Sequence, residues 1–131
     1  MAHDMDRLLE MSEEIWENSI IPSLSEFIGI KALSPLFEPD WEELGELDDV
    51  IELFCNWIDM QGISGLSYSV HRLEGRSPVL LVTVEGTGKG EVIFYSHLDK
   101  QPSKPELWSD GLGPLDAVRR GEWLFGRGSI D

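Results

Sequence analysis

The 131-residue chain sets 25 acidic side chains against 10 basic ones, and the resulting formal charge of −15 repels phosphate backbones and anionic lipid surfaces, which excludes nucleic-acid and membrane partners. With 41% hydrophobic residues it is long enough for one compact domain spanning residues 1–131 and too short for two ordinary ones. One cysteine, Cys55, rules out an internal disulfide, and the acidic N-terminus "MAHDMDRLLE" with no apolar run near ~20 residues predicts a soluble, cytoplasmic protein.

From Asp4 to about Ile30 the residues Leu8, Leu9, Ile15, Trp16, Ile20, Leu24, Phe27 and Ile28 recur mostly at helical spacing, which predicts a long amphipathic helix. Pro22 removes a backbone donor and crowds the preceding turn, so a kink or restart is expected there, with Ser19 as a local cap. Gly29 and the Ser34-Pro35 pair end the segment, and "LSPLFEPDW" reads as an irregular connection. A second helix is expected through Leu44, Leu47, Val50, Ile51, Phe54, Trp57 and Ile58, with Glu42, Glu43, Glu46, Asp48 and Asp49 placed where the helix dipole favours negative charge. Cys55 falls in its apolar pattern as a packed thiol, and Gly62 is the expected stop. The acidic stretch from Glu38 to Asp49 lacks the alternating oxygen ligands and turn glycine of a calcium loop, so it reads as a solvated helix start.

After Gly65 the period changes to two. Leu66, Tyr68 and Val70 alternate with Ser67, Ser69 and His71, the pattern of a strand with one wet face. "GRSP" turns the chain, "VLLVTVEG" predicts a second strand, "TGKG" turns it again and "EVIFYS" predicts a third, apolar on both faces and therefore central. Helices followed by strands predict an α/β domain in which N-terminal helices pack on a mixed, mostly parallel sheet. "EGTGKGE" lacks the spacing of a phosphate loop and reads as a hairpin turn, and "SKPELWSDGLGP" reads as a surface loop.

Of the three histidines, His3 lies at the terminus and His71 on the wet face of a strand, and neither suggests chemistry. His97 differs, because it follows the apolar run "VIFYS", and strand ends in open α/β sheets are where ligand clefts form. Asp99 lies two residues on, on the same side of an extended chain, and a carboxylate that accepts one ring N–H fixes the tautomer and raises the basicity of the other nitrogen. Further along, "WLFGRGSID" is another strand-like run whose glycine-rich turn delivers Asp131. An imidazole and a carboxylate at separate strand ends are the ligand types zinc takes at about 2 Å.

The stretches "YSHLDKQP", "GLGP" and "GEWLFGRGSID", in that order and spacing, resemble the first half of the catalytic domain of the dinuclear zinc metallopeptidases that include carnosine dipeptidases, aminoacylases, succinyl-diaminopimelate desuccinylase and glutamate carboxypeptidases. The dipeptidase-like branch is the nearer match, and "ALSPLFEPDW" and "GRSPVLLV" extend the similarity upstream to about Ile20. The resemblance implies that His97 binds one zinc ion, that Asp99, the catalytic carboxylate of the pattern, holds an active-site imidazole, and that Asp131 bridges two ions. It implies hydrolysis of dipeptides or N-acyl amino acids by metal-activated water, with zinc as the cofactor and manganese or cobalt as alternatives in an N/O site. Trp108 would help to close the rim of the cleft, and the complete members carry a separate lid or dimerisation domain that allows a homodimer. Ser96 stands where the family usually has glycine, a change a small side chain tolerates at ordinary φ.

The family pattern continues with a further acidic or amide residue, a Glu-Glu pair, another acidic ligand and a late histidine. On that pattern the chain is expected to be an incomplete N-terminal segment, without the lid domain and inactive by itself. The alternative is a non-catalytic remnant or partial gene product that acts as an interaction module through an unpaired sheet edge. A general acidic interaction module is the third reading, and it predicts no effect of zinc on stability.

Overall fold

The computed structural model describes residues 2–130 and contains helices with two small antiparallel sheets, a mixed α/β protein. The chain divides into two compact units, one formed by the residues up to Gly29 with those from Ser103 onward, the other by Ile30–Pro102. Among the described residues no helix is long and apolar enough to cross a membrane.

In the first unit, α1 (Ala2–Ile15) runs into a π-helical turn, Trp16–Ile20, and on into α2 (Ile21–Gly29). The disturbance expected at Pro22 takes the form of a wide turn just before it, within a continuous helical run. There the N–H of Ile21 donates to the carbonyl of Trp16, five residues back, and that wider ring makes room for the pyrrolidine. The apolar residues Met5, Leu8, Leu9 and Ile15 of α1 are exposed, whereas α2 buries Phe27 and Ile28. Strands β1 (Leu66–His71) and β2 (Val79–Val84) belong to the other unit. Here β3 (Val118–Arg120) and β4 (Trp123–Phe125) form an antiparallel hairpin whose turn uses Gly121 at φ +61°.

The second unit contains α3 (Trp41–Leu44) and α4 (Glu46–Asp59), followed by β1 (Leu66–His71) and β2 (Val79–Val84). The single helix expected here is broken at Gly45, which takes φ +70° and donates its N–H to the carbonyl of Trp41. Glu46, Asp48 and Asp49 occupy the first turn of α4, and Leu47, Val50, Ile51 and Ile58 form its buried stripe. Cys55 is half-buried on the same helix. Strands β1 and β2 pair antiparallel from Leu66 opposite Val84 to His71 opposite Val79.

Two sheet expectations are corrected. Among the described residues both sheets are antiparallel and two-stranded, and parallel pairing is confined to an isolated bridge between Leu33 and Lys100. The run "VIFYS" joins neither sheet among the described residues and is not a covered central strand. Val92, Ile93, Phe94 and Tyr95 are 80%, 87%, 91% and 91% exposed. Local β-propensity is satisfied by an extended backbone alone; making a strand also needs a facing row of N–H and C=O groups, which β1 and β2 give to each other.

Candidate functional site

His97 and Asp99 lie in the second unit on an extended stretch that leads into the Lys100 bridge. The stretch brings the two together, as their two-residue spacing predicts. His97 Nδ1 is 2.9 Å from the backbone oxygen of Asp99 and 3.3 Å from its Oδ1. A carbonyl oxygen can only accept, so Nδ1 carries the ring proton and donates it, and the nearer partner is the main chain rather than the carboxylate. The carboxylate stands behind as an electrostatic partner, 29% exposed against 46% for the imidazole. His97 therefore carries its ring proton on Nδ1, with Nε2 as the other ring nitrogen.

The peptide that carries this carbonyl is anchored from its other side. The N–H of Lys100 donates to the oxygen of Ala32 at 2.8 Å, and the N–H of Ser34 donates to the oxygen of Lys100 at 2.9 Å. The Lys100 side chain is 1% exposed and donates from Nζ to the oxygen of Ile30 at 2.5 Å. Burial pulls its ammonium down from the ordinary lysine value to about 8, with the charge of Glu46 opposing the shift. Ala32, fully buried, is held at φ +38°, a left-handed conformation that side-chain-bearing residues rarely adopt. Sequence reasoning passes over Lys100, because a lysine after an apolar run reads as solvated and nothing in "DKQP" marks it as buried.

As a donor set, the His97 imidazole with its ring proton fixed on the far side fits a metal that takes nitrogen ligands. Asp131, the expected bridging carboxylate, lies outside the described residues. Among the described residues there is no group of three or more His, Cys, Asp or Glu that could hold a metal. His71, on β1, bonds through Nε2 to Ser69 Oγ at 2.8 Å, a local surface contact.

Trp108 lies in the first unit, where it lines an open groove of about 370 Å³ with Trp16, Leu24, Arg119, Trp123 and Phe125. The groove is lined mainly by aromatic and aliphatic side chains, with Glu122 and Ser129 as further polar members of its wall. A scan against protein-family models finds no match, and a search of curated proteins finds none either.

Proposed function

We propose that the chain carries part of the active site of a metal-dependent hydrolase that cleaves dipeptides or N-acyl amino acids. The observation that carries the reading is the His97–Asp99 pair, in which residue 99 accepts the Nδ1–H hydrogen bond and Nε2 is the nitrogen that would face a metal. The order of "YSHLDKQP" and "GRGSID" in the sequence supports it.

A bound zinc ion would supply a water of lowered pKa to attack the amide carbonyl. His97 would hold the ion, residue 99 would keep the imidazole from turning, and Asp131 would offer the bridging carboxylate. One imidazole and one carboxylate do not fill the coordination of two ions, so His97 and Asp131 would need further ligands to complete such a site. A second reading, a non-catalytic module that associates through an apolar segment, is favoured by the exposure of Val92, Ile93, Phe94 and Tyr95.

Zinc titration followed through the His97 ring resonances separates the two. The hydrolase reading expects zinc to shift those resonances saturably and His97→Ala to lose that binding event, with no dipeptide hydrolysis by the chain alone. If His97→Ala binds zinc with unchanged stoichiometry and affinity, the metal role of His97 is overturned and the module reading gains.

A further inference from the structure

The amide between Asp99 and Lys100 is one planar trans unit, so its C=O and N–H point in opposite directions. The N–H side is bonded to Ala32 and the C=O side to His97 Nδ1, and turning the plane breaks both bonds together. Whatever fixes the Ala32 side therefore fixes the imidazole. Residue 100 donates to Ile30 and Ala32 and accepts from Ser34, alternate residues of one short stretch, and the Ile30 bond comes from its side chain. Burying an ammonium costs free energy unless it is bonded, and holding Ala32 at positive φ adds backbone strain. A methionine would fill the same volume without the buried charge. The lysine thus adds a directional tie rather than apolar packing.

We propose that Lys100 is a positioning residue for His97: its buried ammonium clamps the 99–100 peptide against the 30–34 segment and so holds the imidazole as the Nδ1–H tautomer with Nε2 as the ligand nitrogen. Neutral histidine in water favours the opposite tautomer, so the clamp has a spectroscopic signature that needs no metal and no turnover. The assignment of Nε2 to a metal rests on the function proposed above; the tautomer itself does not.

The test compares the wild-type chain with Lys100→Met and Lys100→Gln by ¹⁵N correlation of the His97 ring, thermal melting and zinc titration. Wild type is expected to show the Nδ1–H form. Lys100→Met is expected to melt no lower at neutral pH, to move the ring toward the Nε2–H form and to weaken zinc binding at His97 about tenfold. Lys100→Gln keeps a donor for the Ile30 carbonyl and is expected to retain the wild-type tautomer. A folded Lys100→Met chain that keeps the Nδ1–H form overturns the proposal, and so does failure of both variants to fold, which would make the lysine a residue of the fold and not of the site. Loss of the tautomer in Lys100→Met, in a chain whose His97 never responds to zinc, leaves the clamp standing and removes the hydrolase reading alone.

Discussion

Arg119 grips Glu17 with both prongs of its guanidinium, Nη1 to Oε2 at 2.5 Å and Nη2 to Oε1 at 2.7 Å, across 102 residues of sequence. The pair ties the β3–β4 hairpin to the π-helical turn within the first unit. Its hydrogen bonds hold the Glu17 carboxyl below its ordinary value and the Arg119 guanidinium above its own. A carboxylate with a lowered folded-state pKa contributes stability that is present above its unfolded value and lost as pH falls through the folded one. Glu17→Gln should therefore destabilise the chain at pH 7 and make no difference once pH drops below the carboxylate range. Both groups are about half-exposed, so added salt should shrink the pH 7 difference. Urea denaturation of both chains at neutral and acid pH, with and without salt, checks it; a gap that persists in acid removes the ion pair as its cause.

Gly126 sits at φ +146°, and a β-carbon there would run into the side chain of the fully buried Ile28. Gly126→Ala combines backbone strain with overpacking and should cost about 2–3 kcal/mol. Gly88 has open space around it and no positive φ, so Gly88→Ala should be near neutral and serves as the control. Equal melting temperatures for the two variants would show that β4 and α2 are not packed through this contact.

The helices are legible in the sequence because three- and four-residue spacing records which face is buried, and Leu47, Val50, Ile51 and Ile58 of α4 carry that record intact. The break at Gly45 is not legible, since a left-handed glycine needs no change in the apolar pattern around it. Likewise Pro22 announces a disturbance without saying that the turn before it will widen. Strand propensity is local and strand pairing is not, so "LSYSVH" and "VLLVTV" find each other while the equally apolar "VIFY" joins neither sheet. At the site, the meeting of His97 and Asp99 follows from their spacing. The atom that meets the ring does not, because a backbone carbonyl is common to every residue and leaves no trace in composition.

The exposed run from Val92 to Tyr95 has a measurable consequence. Phe94 and Tyr95 alone present roughly 200 Å² each when unburied, already at the scale of the largest apolar patch of an ordinary monomer. The segment is uncharged and contains no proline or glycine, so charge repulsion from the rest of the chain is the main brake on its pairing. Sedimentation velocity should show concentration-dependent self-association that increases with salt, as the −15 charge is screened. Phe94→Asp with Tyr95→Asp should restore a monomer without lowering the melting temperature. A salt-independent monomer in the wild-type chain would show that the segment is covered in solution.

Lys100 makes the stability of the chain rise with pH over an alkaline window. Its ammonium titrates at about 8 in the folded chain against an ordinary value of 10.5. Below pH 8 both folded and unfolded states hold the proton, so the group contributes no slope. Between about 8 and 10.5 the unfolded chain keeps a proton that the native chain has shed, and native stability increases, by at most roughly 3.4 kcal/mol at 1.36 kcal/mol per unit. Tyrosines and other lysines titrate nearby, so the informative quantity is the difference between wild type and Lys100→Met in urea denaturation at pH 7.5 and pH 10. The difference should move in favour of wild type as pH rises, because only wild type sheds a buried charge. A difference that stays constant across that interval would mean that the amine reaches solvent and titrates as an ordinary surface lysine, contrary to its 1% exposure.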